Sequence, residues 1–243
     1  MEHQIRRRQP GDISRRSVYW DLYFADPDVL REGASRRFHV LHESPSGEPD
    51  GFLTYRVTRA WPDRQPGNRL EIDDLMALDH TVEAALWRLA LDVDLVGTVE
   101  APLRAIDDPL RLRLLDPRRL KVTHVGDLLW CRLVDVAEGL AARRYATSDT
   151  LVLDVVDDFC PWNTGVYRLE VVAGEAACER VPASSVDPDL VLGVTELGAA
   201  YLGGTRFTDL ARAGRIDERA AGALARADAL FAAHRAPWLT TGF

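Results

Sequence analysis

The sequence predicts an α+β fold in two domains that meet between residues 130 and 140. Three observations carry this expectation. Alternating apolar and polar residues mark strand pairs in both halves of the chain. Apolar residues at helical spacing mark single helices placed after those strands. Between Leu133 and Tyr145 the character changes, and VDVAEGLAARRY forms a short helical stretch between the two strand groups. A chain of 243 residues is long enough for two ordinary domains.

The elements run in order along the chain. VYWDLYFADPDVLR (18–31) reads as a helix with its apolar side at Trp20, Leu22 and Tyr23, interrupted at Pro27. FHVLHES (38–44) and FLTYRVTRAW (52–61) read as strands joined by the turn-forming SGEPDG (46–51). RLEIDDLMAL (69–78) is a third strand. DHTVEAALWRLALDVD (79–94) comes next as a helix, with Val82, Leu86, Leu89 and Val93 on one face and Asp79 as N-cap. DLVGTVEA (94–101) is a strand, and two short strand-like pieces reach Val125. In the second half TLVLDVVDDF (150–159), VYRLEVVA (166–173) and DLVLGV (189–194) are strands. A helix over 195–212, broken at Gly203-Gly204, and another over 218–234, capped by Asp217, close the chain.

Bulk properties exclude several classes. The net charge of -8 argues against nucleic acid. The basic cluster Arg6, Arg7, Arg8, Arg15 and Arg16 reads as a solvated entry segment pairing with acidic neighbours. No apolar run nears the roughly 18 residues that span a membrane. The N-terminal stretch has no apolar core of the secretory kind, so a cytoplasmic setting is expected. Cys131, Cys160 and Cys178 have no CxxC spacing and read as reduced, part-buried thiols.

The familiar catalytic patterns are missing: no GxxxxGK[ST], GxGxxG, GxSxG or HExxH occurs. His39 and His42, three apart on a strand, fall on opposite faces and read as structural. The same alternation gives Asp73-Asp74 and Asp157-Asp158 one inward and one outward carboxylate each; an inward carboxylate is functional if partnered, and the alternative is that the pairs sit where strand yields to loop. Strand pair, third strand, helix and strand is the element order of GNAT acyltransferases. Such an enzyme needs [RQ]xxGx[GA] at a helix start, where backbone N–H groups hold the CoA pyrophosphate. The nearest match, REGAS (31–35), has the wrong spacing and precedes a strand. No cofactor-binding residue is expected here.

The tail APWLTTGF (236–243) is apolar to its last residue. Read from the residues, it is either packed for stability or it delivers a carboxylate.

The stretches RRQPGDIS (7–14), GASRRFHVLHE (33–43), GEPDGFLTYRV (47–57), WCRLVDVAEGLAARRY (130–145), DDFCPWNTGVYRLE (157–170), PDLVLGVTELGAAYLGGTRFTDLARAGRI (188–216) and ARADALFAAHRAPWLTTGF (225–243) reach over nearly the whole chain. In them the chain resembles the Eis family of bacterial N-acetyltransferases. The resemblance implies a central degenerate GNAT domain over 1–135 and a sterol carrier protein-like domain over 136–243. It implies that the family's N-terminal, acetyl-CoA-binding GNAT domain is absent, so that acetyl transfer to amines such as aminoglycosides or lysine side chains belongs to the complete enzyme. It also implies a homo-oligomer, trimeric or hexameric. Phe243 matches the aromatic residue whose carboxylate serves the family as base. An α-carboxylate titrates at about 3.3–3.7, and desolvation by Trp238, Leu239 and the Phe243 ring would raise it toward that task. Gly242 stands where some members carry an acidic residue. A lipid or sterol-binding module and a non-catalytic assembly protein are the alternatives; Trp162, Tyr201, Phe207 and Phe231 are residues of a kind more often core than ligand wall.

Overall fold

The computed structural model describes residues 2–241. They divide into two compact units. The first is built from the chain up to Gly126 together with the segment that begins at Trp238; the second is Asp127–Pro237.

The first unit holds the helices α1 (Glu2–Arg6) and α2 (Ser17–Ala25) and the strands β1 (Phe38–Glu43), β2 (Pro49–Thr58) and β3 (Asn68–Ala77). Helix α3 (His80–Leu91), strand β4 (Val96–Glu100) and helix α4 (Leu110–Arg113) complete it. The sheet order is β1-β2-β3-β4, with β4 parallel to β3 across the α3 connection. Leu53, Leu70, Ile72 and Leu75 pack against Val82, Leu86, Trp87 and Ala90 of α3. Leu89, expected on the inner face of α3, is exposed. Gly51 sits under α3: a Cβ there would lie 2.4 Å from Val82 Cγ1 and 3.2 Å from the Met76 carbonyl. Gly51→Ala is therefore expected to lose about 1–3 kcal/mol by overpacking, read by urea denaturation.

Residues 101–125 contain no strand; α4 and a 3₁₀ turn over Pro117–Arg119 stand where two strand-like pieces were expected. Prolines 102, 109 and 117 deny a ladder its donors at short intervals. In α2 only Tyr23 is buried, while Leu22 is more than half exposed.

The second unit runs α5 (Val136–Ala142), β5 (Asp149–Val156), β6 (Gly165–Val172), β7 (Glu175–Val181), β8 (Leu190–Gly193), α6 (Val194–Tyr201), α7 (Phe207–Arg212), β9 (Ile216–Glu218) and α8 (Ala223–Phe231). Its sheet order is β7-β6-β5-β8-β9, with β8 parallel to β5. Strands β7 and β9 have no counterpart among the elements expected from the sequence. EAACERV alternates weakly, and IDE is three residues long. Asp217 lies in β9 and caps nothing; α8 starts after Gly222, whose φ of 84° suits glycine.

One half-buried cation holds three helix ends together. Arg143, the residue after α5, donates from Nε to Tyr201 O at 2.8 Å and from Nη2 to Phe231 O at 2.6 Å. Those carbonyls end α6 and α8, where helix dipoles favour positive charge. Its guanidinium also lies 4.6 Å and 4.7 Å from the Tyr145 and Phe231 ring centres.

Candidate functional site

Strand β3 carries a β-bulge opposite Thr54/Tyr55, and the bulge changes the reading of Asp73-Asp74. Ile72 and Leu75 both pack on the α3 side. The extra residue between them turns both carboxylates to the opposite face, beneath α2. The expected in-and-out alternation fails here, and the pair lies within a strand. Asp73 meets Arg37 Nε at 2.7 Å and Arg56 Nε at 3.3 Å. Asp74 takes a bidentate pair from Arg15 at 2.7 and 2.8 Å.

Arg15 departs furthest from the solvated segment expected of the basic cluster. Its side chain is 1 % exposed, whereas Arg7, Arg8 and Arg16 face solvent. Burial works against its charge, but the hydrogen bond and charge of Asp74 outweigh that and hold its pKa above the ordinary value. The guanidinium lies 5.0 Å from the ring centres of both Tyr19 and Trp20. Its remaining donors reach the tail: Nε to Thr241 Oγ1 at 2.6 Å and Nη2 to Thr240 O at 2.8 Å.

The tail is held at further points. Thr240 donates its N–H and hydroxyl to Asp12 Oδ1, and Trp238 N–H donates to Pro10 O. The Trp238 ring lies 5.0 Å from Arg104, which is fixed by Asp108, Glu83 and Leu75 O. Leu239, Thr240 and Thr241 are buried. Phe243, the one site residue expected from the sequence, lies outside the described residues. Arg104 carried no motif; Asp12 lay in RRQPGDIS, and Arg15 in the basic cluster expected to pair with acidic neighbours, beside the aromatic run YWDLYF.

The other candidates are structural. Asp157, just past β5, is buried by the Arg132 side chain and the DDFCPWN turn, while Asp158 is exposed. Burial pushes its carboxyl up, but hydrogen bonds from Asn163, Cys160 N and Arg132 prevail and hold it below the ordinary value. His42 pairs through Nδ1 with Asp50 at 2.5 Å, and His39 lies beside Phe24. Cys131 is exposed, Cys160 buried, and burial pushes the Cys178 thiol up to about 12, which removes it as a nucleophile at neutral pH. Among the described residues no group of three His, Cys, Asp or Glu could hold a metal. Phe207 and Phe231 meet edge to face in the second unit's core, Tyr201 donates to Gly139 O, and Trp162 is exposed; they form no common wall.

The β3–α3 turn is where this sheet could offer an anion-binding helix start, beside the parallel strand β4. The turn reads Leu78-Asp79-His80-Thr81, without glycine. Asp79 itself accepts from Thr81 N at 2.8 Å and Val82 N at 3.0 Å, and these amide bonds hold its carboxyl below the ordinary range. A fixed carboxylate thus occupies the amides that a pyrophosphate would use. The residues present do not fit acetyl-CoA at this turn.

A four-stranded GNAT-like unit and an α+β unit like sterol carrier protein are the two classes this architecture defines. Sequence profiles agree: the acetyltransferase (GNAT) domain matches residues 11–133, and the sterol carrier protein domain matches 136–240. The chain belongs to the GNAT N-acetyltransferase family, with an Eis-like arrangement of domains. It is 43 % identical over 97 % of its length to an uncharacterized N-acetyltransferase of Streptomyces coelicolor, covering 56 % of that protein. It is 30 % identical to N-acetyltransferase Eis of Mycobacterium tuberculosis over 93 % of this chain and 52 % of that one. The crystal structure of Eis1 from Mycobacterium abscessus superposes with a TM-score of 0.81 at 33 % identity, covering 97 % of this chain and 57 % of the other. The chain thus spans a little over half the length of the relatives it matches.

Proposed function

We propose that this chain serves an Eis-like N-acetyltransferase as its non-cofactor-binding part, and that acetyl transfer requires a further GNAT domain. The Asp79 carboxylate on the first amides of α3 carries this reading. The reaction is transfer of acetyl from acetyl-CoA to an amine, with aminoglycosides and lysine side chains as acceptors. The net charge of -8 favours such cations. Assembly into a homo-oligomer is part of the same proposal.

In this reading the segment from Trp238 to Thr241 is an anchor, and Phe243 supplies a carboxylate base that takes a proton from the acceptor ammonium. The contacts of Asp12, Arg15 and Arg104 with that segment support it. Calorimetric titration of this chain with acetyl-CoA is the direct test. No heat of binding is expected, and saturable binding at micromolar concentration would overturn the proposal.

A further inference from the structure

We propose that a cleft of about 230 Å³ on the first unit, lined by Arg31, Arg36, Arg37, His39, Phe24 and Asp26, binds a small organic oxyanion with an aromatic group.

Asp26 ends α2 in the left-handed region at φ 43°, a conformation open to aspartate as a single residue. Three groups hold it. Arg37 N–H and Arg31 Nε donate to Oδ2 at 3.0 and 3.2 Å, and Arg56 Nη2 lies 2.8 Å from Oδ1. Burial raises its pKa, but these partners prevail and keep Asp26 an anion, below the ordinary value. Asp73 is shared by Arg37 and Arg56, and the exposed Asp28 pairs with Arg31.

Asp26, Asp28 and Asp73 therefore neutralise three of the guanidiniums Arg31, Arg36, Arg37 and Arg56. The fourth is Arg36. Among the described residues its side chain has neither an ion pair nor a hydrogen bond, and it lies in the cleft wall. Arg56 Nη1 is also buried with no acceptor among the described residues. An arginine cluster with one charge in excess is a receptor for carboxylate or phosphate, which a guanidinium binds in a planar, bidentate way. The organic part of the ligand has its own wall. Phe24 is 60 % exposed; its ring lies 5.4 Å from the His39 ring, stacks on Trp20 at 5.8 Å and meets Tyr23 edge-on at 5.6 Å. An aromatic face beside a cation favours a flat ring over a bare ion.

Calorimetric titrations with inorganic phosphate, benzoate and phenyl phosphate test this. Benzoate or phenyl phosphate is expected to bind more tightly than inorganic phosphate. Which of the two is preferred tells a carboxylate ligand from a phosphate ester. Arg36→Gln removes a side chain without partners, so the fold stays intact, and it should weaken binding about tenfold or more by loss of a charged hydrogen bond. Arg118→Gln, an exposed arginine elsewhere on this unit, should leave binding unchanged. The proposal is overturned if none of the three probes binds, if inorganic phosphate binds as tightly as the aromatic ones, or if both variants weaken binding equally.

Discussion

Asp74→Ala is expected to destabilise the first unit by about 3–5 kcal/mol. The reason is the partner it abandons. Arg15 would remain 1 % exposed with its charge uncompensated. The change would also loosen the tail, because the same guanidinium that grips Asp74 donates to Thr240 O and Thr241 Oγ1. Arg15→Met with Asp74→Leu removes both charges together, and apolar replacements of buried pairs often fold as well as the pair does. The double variant should therefore recover most of the lost stability in urea denaturation. It should not recover the tail, whose two acceptors would have lost their donor, so cleavage near residues 238–241 by a nonspecific protease should be faster than in the unaltered protein. An Asp74→Ala variant within about 0.5 kcal/mol of the parent would refute this account of the pair, since that is the range of an ordinary surface substitution.

How much of this was legible in the sequence depends on the range of the interaction. Strands β1, β2, β3, β5, β6 and β8 and helix α3 with its Asp79 cap all arise from local period and local capping chemistry. Elements too short or too weakly patterned to show a period, β7 and β9, did not. The carboxylates divide in the same way. Asp157 lies at the end of a strand, as its position before FCPWN implies. Asp73 and Asp74 point to one face because of a bulge fixed by pairing with β2, which nothing in RLEIDDLMAL announces. Arg15 meets Asp74 across 59 residues and Thr241 across 226. A basic run and an apolar tail were both visible, but only the fold brings them together.

That the tail contributes to the first unit also bears on the two possibilities it raised. Packing for stability and delivery of a group are not exclusive. The Trp238 contacts and the burial of Leu239 to Thr241 fix the path of the chain, and a fixed path is what placing a functional group at the next residues would require.

Asp157→Ala is expected to cost the second unit a similar amount, about 3–5 kcal/mol, through donors left without acceptors at roughly 1–3 kcal/mol each. Its Oδ1 accepts from Phe159 N, Cys160 N and Arg132, and its Oδ2 from Asn163 Nδ2 at 3.0 Å. Asn163 in turn bonds Val136 N and Leu133 O, and its carbonyl accepts from Tyr167. The turn after β5 is thereby tied to the start of α5 and to β6. Asp157→Asn keeps the shape but removes the charge and should cost less, about 1–3 kcal/mol. The pH dependence has a definite sign. The folded-state pKa lies below the unfolded one, so the contribution is complete above about pH 4 and fades as pH falls through the folded value. The stability gap between the parent and Asp157→Asn should accordingly be constant from neutral pH to about pH 5 and shrink in more acidic solution. A gap that persists unchanged under acid would mean that the two side chains differ in packing and not in charge, and Asp157 would then hold the turn through geometry alone.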